Sequence, residues 1–317
     1  MKKIVVLGGG TGLSVLLRGL KQFPLDITAI VTVADDGSSS GRLREEFDIF
    51  AVGDLRNVLV SLSEVEPLIE DLLQYRFVTD SSLNNHPMGN LLLTALYNIT
   101  GNLTESLRSL SKIFNIKGTI LPFTEENPVL IAHTTDGKII EGESNITKAG
   151  KEIDYIEYKN EVKPTKEVIK AIDEADLIIF GIGSLYTSII PNLLSKEVVE
   201  SLKNSKAKKM YVCNIMSEHG ETDNYKVSDC IKKINSYVKE DLMDVVVVNN
   251  KKVPEDIKER YLGEIAGQID IDYDVLNDMN VEIIEDELLY ISEKKKVRHD
   301  PYRTALAIFN YIVKELK

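Results

Sequence analysis

Residues 3–12 read KIVVLGGGTG, a short β-branched run that stops abruptly in glycines, and Leu13, Leu16, Leu17 and Leu20 follow at helical spacing. That change of period predicts a strand, a tight turn and a helix at the start of the chain. A buried strand handed to a helix through glycine is the repeating unit of a parallel α/β sheet, and it narrows the choice of folds more than any other stretch does. Gly9, Gly10 and Gly12 lack a Cβ, so backbone N–H groups can approach a ligand while the helix turns its positive end to the same space. Such a place suits a phosphate. The competing reading is a turn that only lets strand and helix pack closely.

Two familiar phosphate-binding patterns fit poorly. A G-x-x-x-x-G-K-[ST] loop needs a lysine, and none follows Gly12 until Lys21. The dinucleotide pattern G-x-G-x-x-G can begin at Gly8 and Gly10, but its third position is Leu13. An NAD-dependent oxidoreductase is therefore the weakest of the readings. The second strand, expected over residues 27–33, leads to Asp35 and Asp36 and then to GSSSGRLREEF, which reads as a polar loop carrying Ser39 and Arg42.

The charge balance, 38 basic against 50 acidic residues, argues against nucleic-acid binding, which needs a continuous basic surface. No apolar run approaches the ~20 residues that span a bilayer, and Met1-Lys2-Lys3 runs straight into a strand, so a cytoplasmic protein without a membrane span is expected. Cys213 and Cys230 have neither CxxC spacing nor a histidine at metal-ligand distance in sequence, which makes them reduced thiols and excludes a zinc motif.

Further along, GDLRN (residues 53–57) places Asp54 where it can cap a helix, with Asn57 in the first turn. HPMGN (86–90) opens another helix with His86 and Asn90 at its start. Four short β segments near 118–121, 129–133, 138–140 and 153–157, with a hairpin signal at Asp136-Gly137, predict an antiparallel insertion over about 118–158. The strand at 177–180 ends in GIGSLYTSIIPNLL, a second phosphate-cradle candidate at the kind of strand end where α/β sheets bind ligands. The strand at 209–213 likewise ends in the polar loop NIMSEHGETD. A hairpin-like stretch around Lys294–Lys296 precedes RHDP (298–301), which starts the last helix. The expected architecture is a Rossmann-like three-layer αβα sandwich, a mainly parallel sheet with a small antiparallel insertion, forming one domain over 1–317.

Taken in order, GGGTGLSVLLRGL, VTVADDGSSSGRLR, GDLRN, HPMGN, GSLYTSIIPNLL, NIMSEHGET and RHDP resemble the YvcK-like gluconeogenesis factors, a branch of the superfamily that contains the 2-phospho-L-lactate transferase CofD. The resemblance spans nearly the whole chain. It implies a ligand site at the carboxyl ends of the central strands, binding of UDP-sugars such as UDP-N-acetylglucosamine, and a role in cell shape, peptidoglycan synthesis and growth on gluconeogenic carbon sources. It implies no established reaction. The transferase branch moves a phospholactyl group from a guanosine diphosphate-linked donor with a divalent metal, and its loop after the paired aspartates differs from the one here. Ser38 and Ser39 stand where many members of the resembled branch carry two glycines, which bears on that loop's backbone freedom.

The resulting ligand residues are, at the first turn, Gly9, Gly10, Thr11 and Gly12, and in the loop behind it Asp35, Asp36, Ser39 and Arg42. Asp54 and Asn57 join them from GDLRN, and His86 and Asn90 from HPMGN. Gly183, Ser184, Leu185, Tyr186, Thr187 and Asn192 come from the second cradle, with Asn214, Tyr261 and Arg298 beyond. On this reading the N–H groups of 9–12 and 183–187 hold a diphosphate, Arg298 and Arg42 supply countercharge through bidentate pairing, and Tyr261 stacks on the base. Asp35, Asp36 and Asp54 would hold Mg²⁺ through water if the protein is an enzyme. His86, His219 and His299 would then be the available bases. The implied partners are a nucleotide sugar, proteins of cell-wall synthesis and further copies of the chain.

Overall fold

The computed structural model describes residues 1–64, 67–262 and 266–316. Along the chain its strands are β1 (Lys2–Gly8), β2 (Leu25–Val31), β3 (Thr119–Pro122), β4 (Leu130–Thr134), β5 (Ile139–Glu141), β6 (Ile153–Tyr158), β7 (Leu177–Phe180), β8 (Lys208–Val212), β9 (Val245–Asn249), β10 (Glu282–Asp286), β11 (Leu289–Ile291) and β12 (Val297–His299). The helices are α1 (Gly10–Leu20), α2 (Ser38–Phe47), α3 (Val52–Leu62), α4 (Pro67–Gln74), α5 (Met88–Thr100), α6 (Leu103–Ile113), α7 (Glu143–Ala149), α8 (Lys166–Asp173), α9 (Lys196–Asn204), α10 (Val227–Val238), α11 (Glu255–Leu262), α12 (Tyr273–Asp278) and α13 (Pro301–Glu315).

Seven strands form one sheet in the order β10-β9-β8-β7-β1-β2-β3, and every pairing in it is parallel. The runs IVVL in β1, LIIF in β7 and VVVV in β9 are apolar throughout because helices cover both faces of the sheet. Alternation divides β1 between two cores. Ile4 and Val6 pack with the leucines of α1, with Leu55 and Leu59 of α3 and with Ile308 of α13, while Val5 and Leu7 pack with Val168 of α8, Leu202 of α9 and Ile231 of α10. The result is the three-layer α/β sandwich that the sequence predicts.

The strand order also fixes where a ligand can enter. From β1 the sheet grows to β2 and β3 on one side, and the chain returns on the other side through β7 to β10. That reversal parts the loops after β1 and β7 and opens a crevice at the carboxyl ends of the strands.

Several local expectations need correction. The first of the four short β segments is not in the insertion: β3 is the edge strand of the main sheet. The other three form an antiparallel sheet ordered β5-β4-β6, with the predicted turn at Gly137 (φ 79°) and an unpredicted helix, α7, between β5 and β6. GSSSGRLREEF is not a loop. It folds as α2 because RLREEF has good helix formers, because Leu43 is buried, and because Arg44 donates to the carbonyls of Asp35 and Pro128. The supposed hydroxyl-rich loop at 185–193 is a widened π-helical turn followed by a 3₁₀ turn, with every residue buried. The stretch around Tyr261 carries α11.

Candidate functional site

The loops after β1, β7 and β8, together with the β11–β12 hairpin, enclose a cleft of about 540 Å³ at this crevice. Its glycine wall is Gly10, Thr11 and Gly12, the first turn of α1. Gly10 has φ 68°, and a Cβ there would meet only Ser188 Oγ at 3.6 Å, so this glycine serves the backbone conformation beside open space. Gly12 differs. Its Cβ would come within 2.4 Å of the Ile182 carbonyl oxygen, so Gly12 is required by close packing of α1 on the loop after β7. Close packing thus accounts for Gly12 and not for Gly10.

The opposite loops bring Gly183, Ser184 and Thr187 to the cleft, and Asn214 Nδ2 donates to the Gly183 carbonyl at 2.9 Å, tying the loop after β8 to the loop after β7. This second cradle is largely self-satisfied. The Tyr186 amide donates to Glu221 (3.1 Å), the Thr187 amide donates to Ser184 Oγ (3.0 Å), and the Ser184 hydroxyl donates to Glu221. Those two amides are not free for a phosphate. Tyr261 lines the cleft with its ring fixed, its hydroxyl accepting from the Val297 amide at 2.9 Å. Arg298 lines it too; its Nη1 donates to its neighbour's carbonyl at 3.1 Å and the side chain is exposed, leaving the guanidinium fork accessible.

A third wall was missed by sequence reasoning. Glu143 and Thr147 of α7, with Glu218 and Glu221 of the loop after β8, line the same cleft. Burial raises all three carboxyls. Glu143 is pushed to about 7 by burial and then by Asp35, Asp54, Asp36 and Glu221. Glu218 is raised by burial against the pull of Ser184 and Arg298, and Glu221 by burial and the adjoining Glu218. The strand-end position of NIMSEHGETD pointed to the last two. Nothing local pointed to Glu143, which arrives from the insertion.

The expected magnesium carriers lie beside this wall without lining the cleft. Asp54 Oδ2 accepts from the Gly10 amide at 2.6 Å, Asp35 from the Gly37 amide at 2.9 Å, and Asp36 from the Ser144 amide at 2.8 Å. Burial and the neighbouring Asp35 raise Asp54 to about 6. Among the described residues no three His, Cys, Asp or Glu side chains converge to hold an ion by themselves. The set fits Mg²⁺ only in the manner of an ion carried by a diphosphate and met by one or two carboxylates through water.

Other sequence candidates belong to a separate polar cluster. Ser39 Oγ lies 2.8 Å from His86 Nδ1, and Asn90 Nδ2 donates to the same hydroxyl at 3.0 Å, with all three residues buried. Burial lowers the His86 pKa, which favours the neutral ring. Asn57 Oδ1 accepts from Arg56 at 2.6 Å. Arg42, expected as countercharge, instead donates to the carbonyls of Ser82 and Asn84 and flanks a smaller surface hollow with His86. Leu185, Tyr186 and Asn192 are buried away from the cleft. The Tyr186 hydroxyl donates to the Ile153 carbonyl, and Asn192 Nδ2 holds the Ser188 and Ile189 carbonyls. Gly9 lies behind the turn against Thr32.

Of the remaining histidines, His219 lines the cleft with Nδ1 on Asp223 at 3.1 Å. His299 lines it with Nε2 on the Cys213 carbonyl at 3.1 Å, and burial lowers its pKa to about 4. Both rings have one nitrogen committed.

Residues 4–289 match the family described as 2-phospho-L-lactate transferase CofD, a span that covers nearly all of the sheet and the loops after β1, β7 and β8 and stops where the β11–β12 hairpin begins, short of Arg298. The chain is 46% identical to the gluconeogenesis factor of Bacillus subtilis, over 96% of each sequence, and 42% identical to the putative gluconeogenesis factor of Thermotoga maritima, over 96% of this chain and 97% of that one. It belongs to the gluconeogenesis-factor branch of the CofD-like superfamily. The crystal structure of protein BH3568 from Bacillus halodurans is similar to this branch member throughout, with a TM-score of 0.94 at 45% identity, over 97% of this chain and 99% of that one. Among its described residues no helix is long and apolar enough to cross a membrane.

Proposed function

We propose that the protein is a nucleotide-sugar-binding regulator, taking a UDP-sugar such as UDP-N-acetylglucosamine, and that it serves growth on gluconeogenic carbon sources and cell-wall synthesis. The observation that carries this reading is the pairing of Gly10–Gly12 at the amino end of α1 with the exposed guanidinium of Arg298 in one cleft. Helix end and arginine together suit a diphosphate. The names of the relatives support the metabolic side of the proposal. A cytoplasmic site of action and protein partners in wall synthesis remain part of the same proposal.

The residues favour binding over turnover. Among those described, the serine and histidine in hydrogen-bond contact, Ser39 and His86, are buried outside the cleft, and the two cleft histidines are held by Asp223 and a backbone carbonyl. A Mg²⁺-dependent transferase is the second reading, favoured by the carboxylates next to the glycine turn and by the family's description. When bound, the ion would neutralise phosphate charge. This chain's own contribution would be to position the diphosphate at α1 and to orient the ion's waters with Asp35 and Asp54.

One experiment separates these readings. Purified protein is melted with UDP-N-acetylglucosamine, UDP, GDP and NAD, and then incubated with the UDP-sugar and Mg²⁺ while UDP, UMP and sugar phosphate are followed by chromatography. The regulator reading expects stabilisation by the UDP-sugar, about 4 kcal/mol at ~1,000-fold above Kd, without turnover. Multiple turnovers at ~1 s⁻¹ or faster would establish the transferase instead.

A further inference from the structure

We propose that Glu143 is the specificity residue for the sugar end of the ligand, accepting hydrogen bonds from its hydroxyls with help from Thr147. The assignment deepens the nucleotide-sugar reading and rests on it. Glu143 and Thr147 stand one helical turn apart on α7, and both line the cleft, whose other walls come from the main sheet's strand ends, the β11–β12 hairpin and α11. The insertion thus contributes two polar side chains to a space that the sheet builds.

The Glu143 carboxylate is half-buried and poorly satisfied within the protein. Among the described residues its hydrogen-bond donor is the Thr147 hydroxyl, at 3.4 Å. A carboxylate has about four acceptor sites, so most of its capacity faces the cleft unused. Glu221 on the same wall is different, since Ser184 and the Tyr186 amide already occupy it.

The helix that carries Glu143 is fixed at both ends. Asp36 Oδ1 accepts from the Ser144 amide at 2.8 Å. Beyond the other end, the Ile153 amide donates to the Gly220 carbonyl at 3.1 Å, and Gly150 packs so closely on His219 that a Cβ would lie 2.9 Å from the ring. The backbone that presents the carboxylate is therefore preorganised, and a ligand need not order α7 on binding.

Charge decides which part of the ligand it meets. Glu143 stands in acidic company: Asp36 accepts from the amide of the next residue, Ser144, and burial together with Asp35, Asp54, Asp36 and Glu221 raises the Glu143 carboxyl. Phosphates belong with Arg298 and the first turn of α1. A carboxylate set beside Asp36 and sharing the cleft wall with Glu221 repels a phosphate and admits uncharged hydrogen-bond donors, which is the chemistry of a sugar. Repulsion of phosphates there adds selectivity that contacts alone would not provide.

The test is calorimetric titration of wild type, Glu143→Ala, Glu143→Gln and Thr147→Val with UDP-N-acetylglucosamine and with UDP, each in magnesium and in EDTA, after thermal melts establish which variants fold. Glu143→Ala is expected to weaken UDP-N-acetylglucosamine roughly 10-fold or more, the scale of one lost hydrogen bond to a charged group, and to leave UDP unchanged. Glu143→Gln keeps one acceptor oxygen and should lose less; Thr147→Val should show the same pattern, smaller. If Glu143→Ala does not fold, these two carry the test. Unchanged sugar-nucleotide affinity, or equal weakening of both probes, overturns the assignment. A loss seen only with magnesium gives Glu143 to the ion and overturns it as well. Wild-type protein that binds neither probe refutes the nucleotide-sugar reading itself, and the assignment falls with it.

Discussion

The cleft and the Ser39–His86–Asn90 cluster are made from similar sequence, glycine-rich polar stretches that feed helix starts, yet one opens a wide cleft and the other closes mostly on itself. In the cluster the polar groups are mostly spent on one another, Asn90 Nδ2 on Ser39 and Ser39 on His86, with the buried Asn90 Oδ1 left over. In the cleft, Arg298 and Glu143 keep unused hydrogen-bonding capacity facing a volume that a ligand can fill. Polar composition alone therefore does not separate a binding site from a polar core. What separates them is whether the polar groups meet one another or a volume that a ligand can fill, and substitutions in the two regions should fail in opposite ways.

The largest effect is expected in the cluster. Ser39→Ala strands both His86 Nδ1 and Asn90 Nδ2 in a buried environment, and should lower unfolding stability by about 2–4 kcal/mol while UDP-sugar affinity of the folded fraction holds. Chemical denaturation with parallel calorimetry measures both, and a selective loss of affinity would erase the contrast. Arg298→Ala should do the reverse, costing ~1.5–3 kcal/mol of affinity with the melting temperature unchanged. Equal affinity would remove Arg298 from the phosphate site.

Glu143→Gln sharpens the comparison through pH. The folded-state pKa of Glu143, about 7, lies above the ordinary 4.5, so folding takes up a proton between those values and stability falls as pH rises through them. His299 acts oppositely: its folded value of about 4 lies below 6.5, and stability is lost as pH falls through that window. The glutamine variant should match wild type below pH 4.5 and exceed it above pH 7, by about 1–2 kcal/mol after allowing for partial exposure. A constant difference across pH would show that the Glu143 carboxyl is not strained by its surroundings. The smallest effect concerns Ser38, held at φ 47° in the left-handed region. Ser38→Gly should relieve that strain and stabilise the protein by about 0.5–1 kcal/mol net of glycine's extra unfolded-state freedom.

What could be read in advance depended on whether the information was local. The strand–turn–helix at 3–20 and the strand ends at 180 and 213 announce themselves through period and glycine, and they supply two walls of the cleft. α2 was obscured because serines and glycines outweighed RLREEF in the reading, although burial of Leu43 and the bonds of Arg44 decide its fold. Tyr186 and Asn192 looked like ligand groups because hydroxyls and amides are chemically suited to either use, and only tertiary packing shows theirs to be internal. Glu143 could not be found at all. Its place in the cleft depends on how the insertion folds back over the sheet, and no periodicity records that.

The bond between the Gly10 amide and Asp54 has a further consequence. The glycine turn already carries an anion of the protein's own, so an arriving phosphate must share the helix end with that carboxylate or dislodge it. Occupancy becomes an exchange of one anion for another, and the net affinity is the difference between two favourable contacts. On the regulator reading this restraint is useful. A turn without an internal competitor would fill at trace concentrations and stay full, whereas a self-occupied one can follow a metabolite over the range in which its level changes.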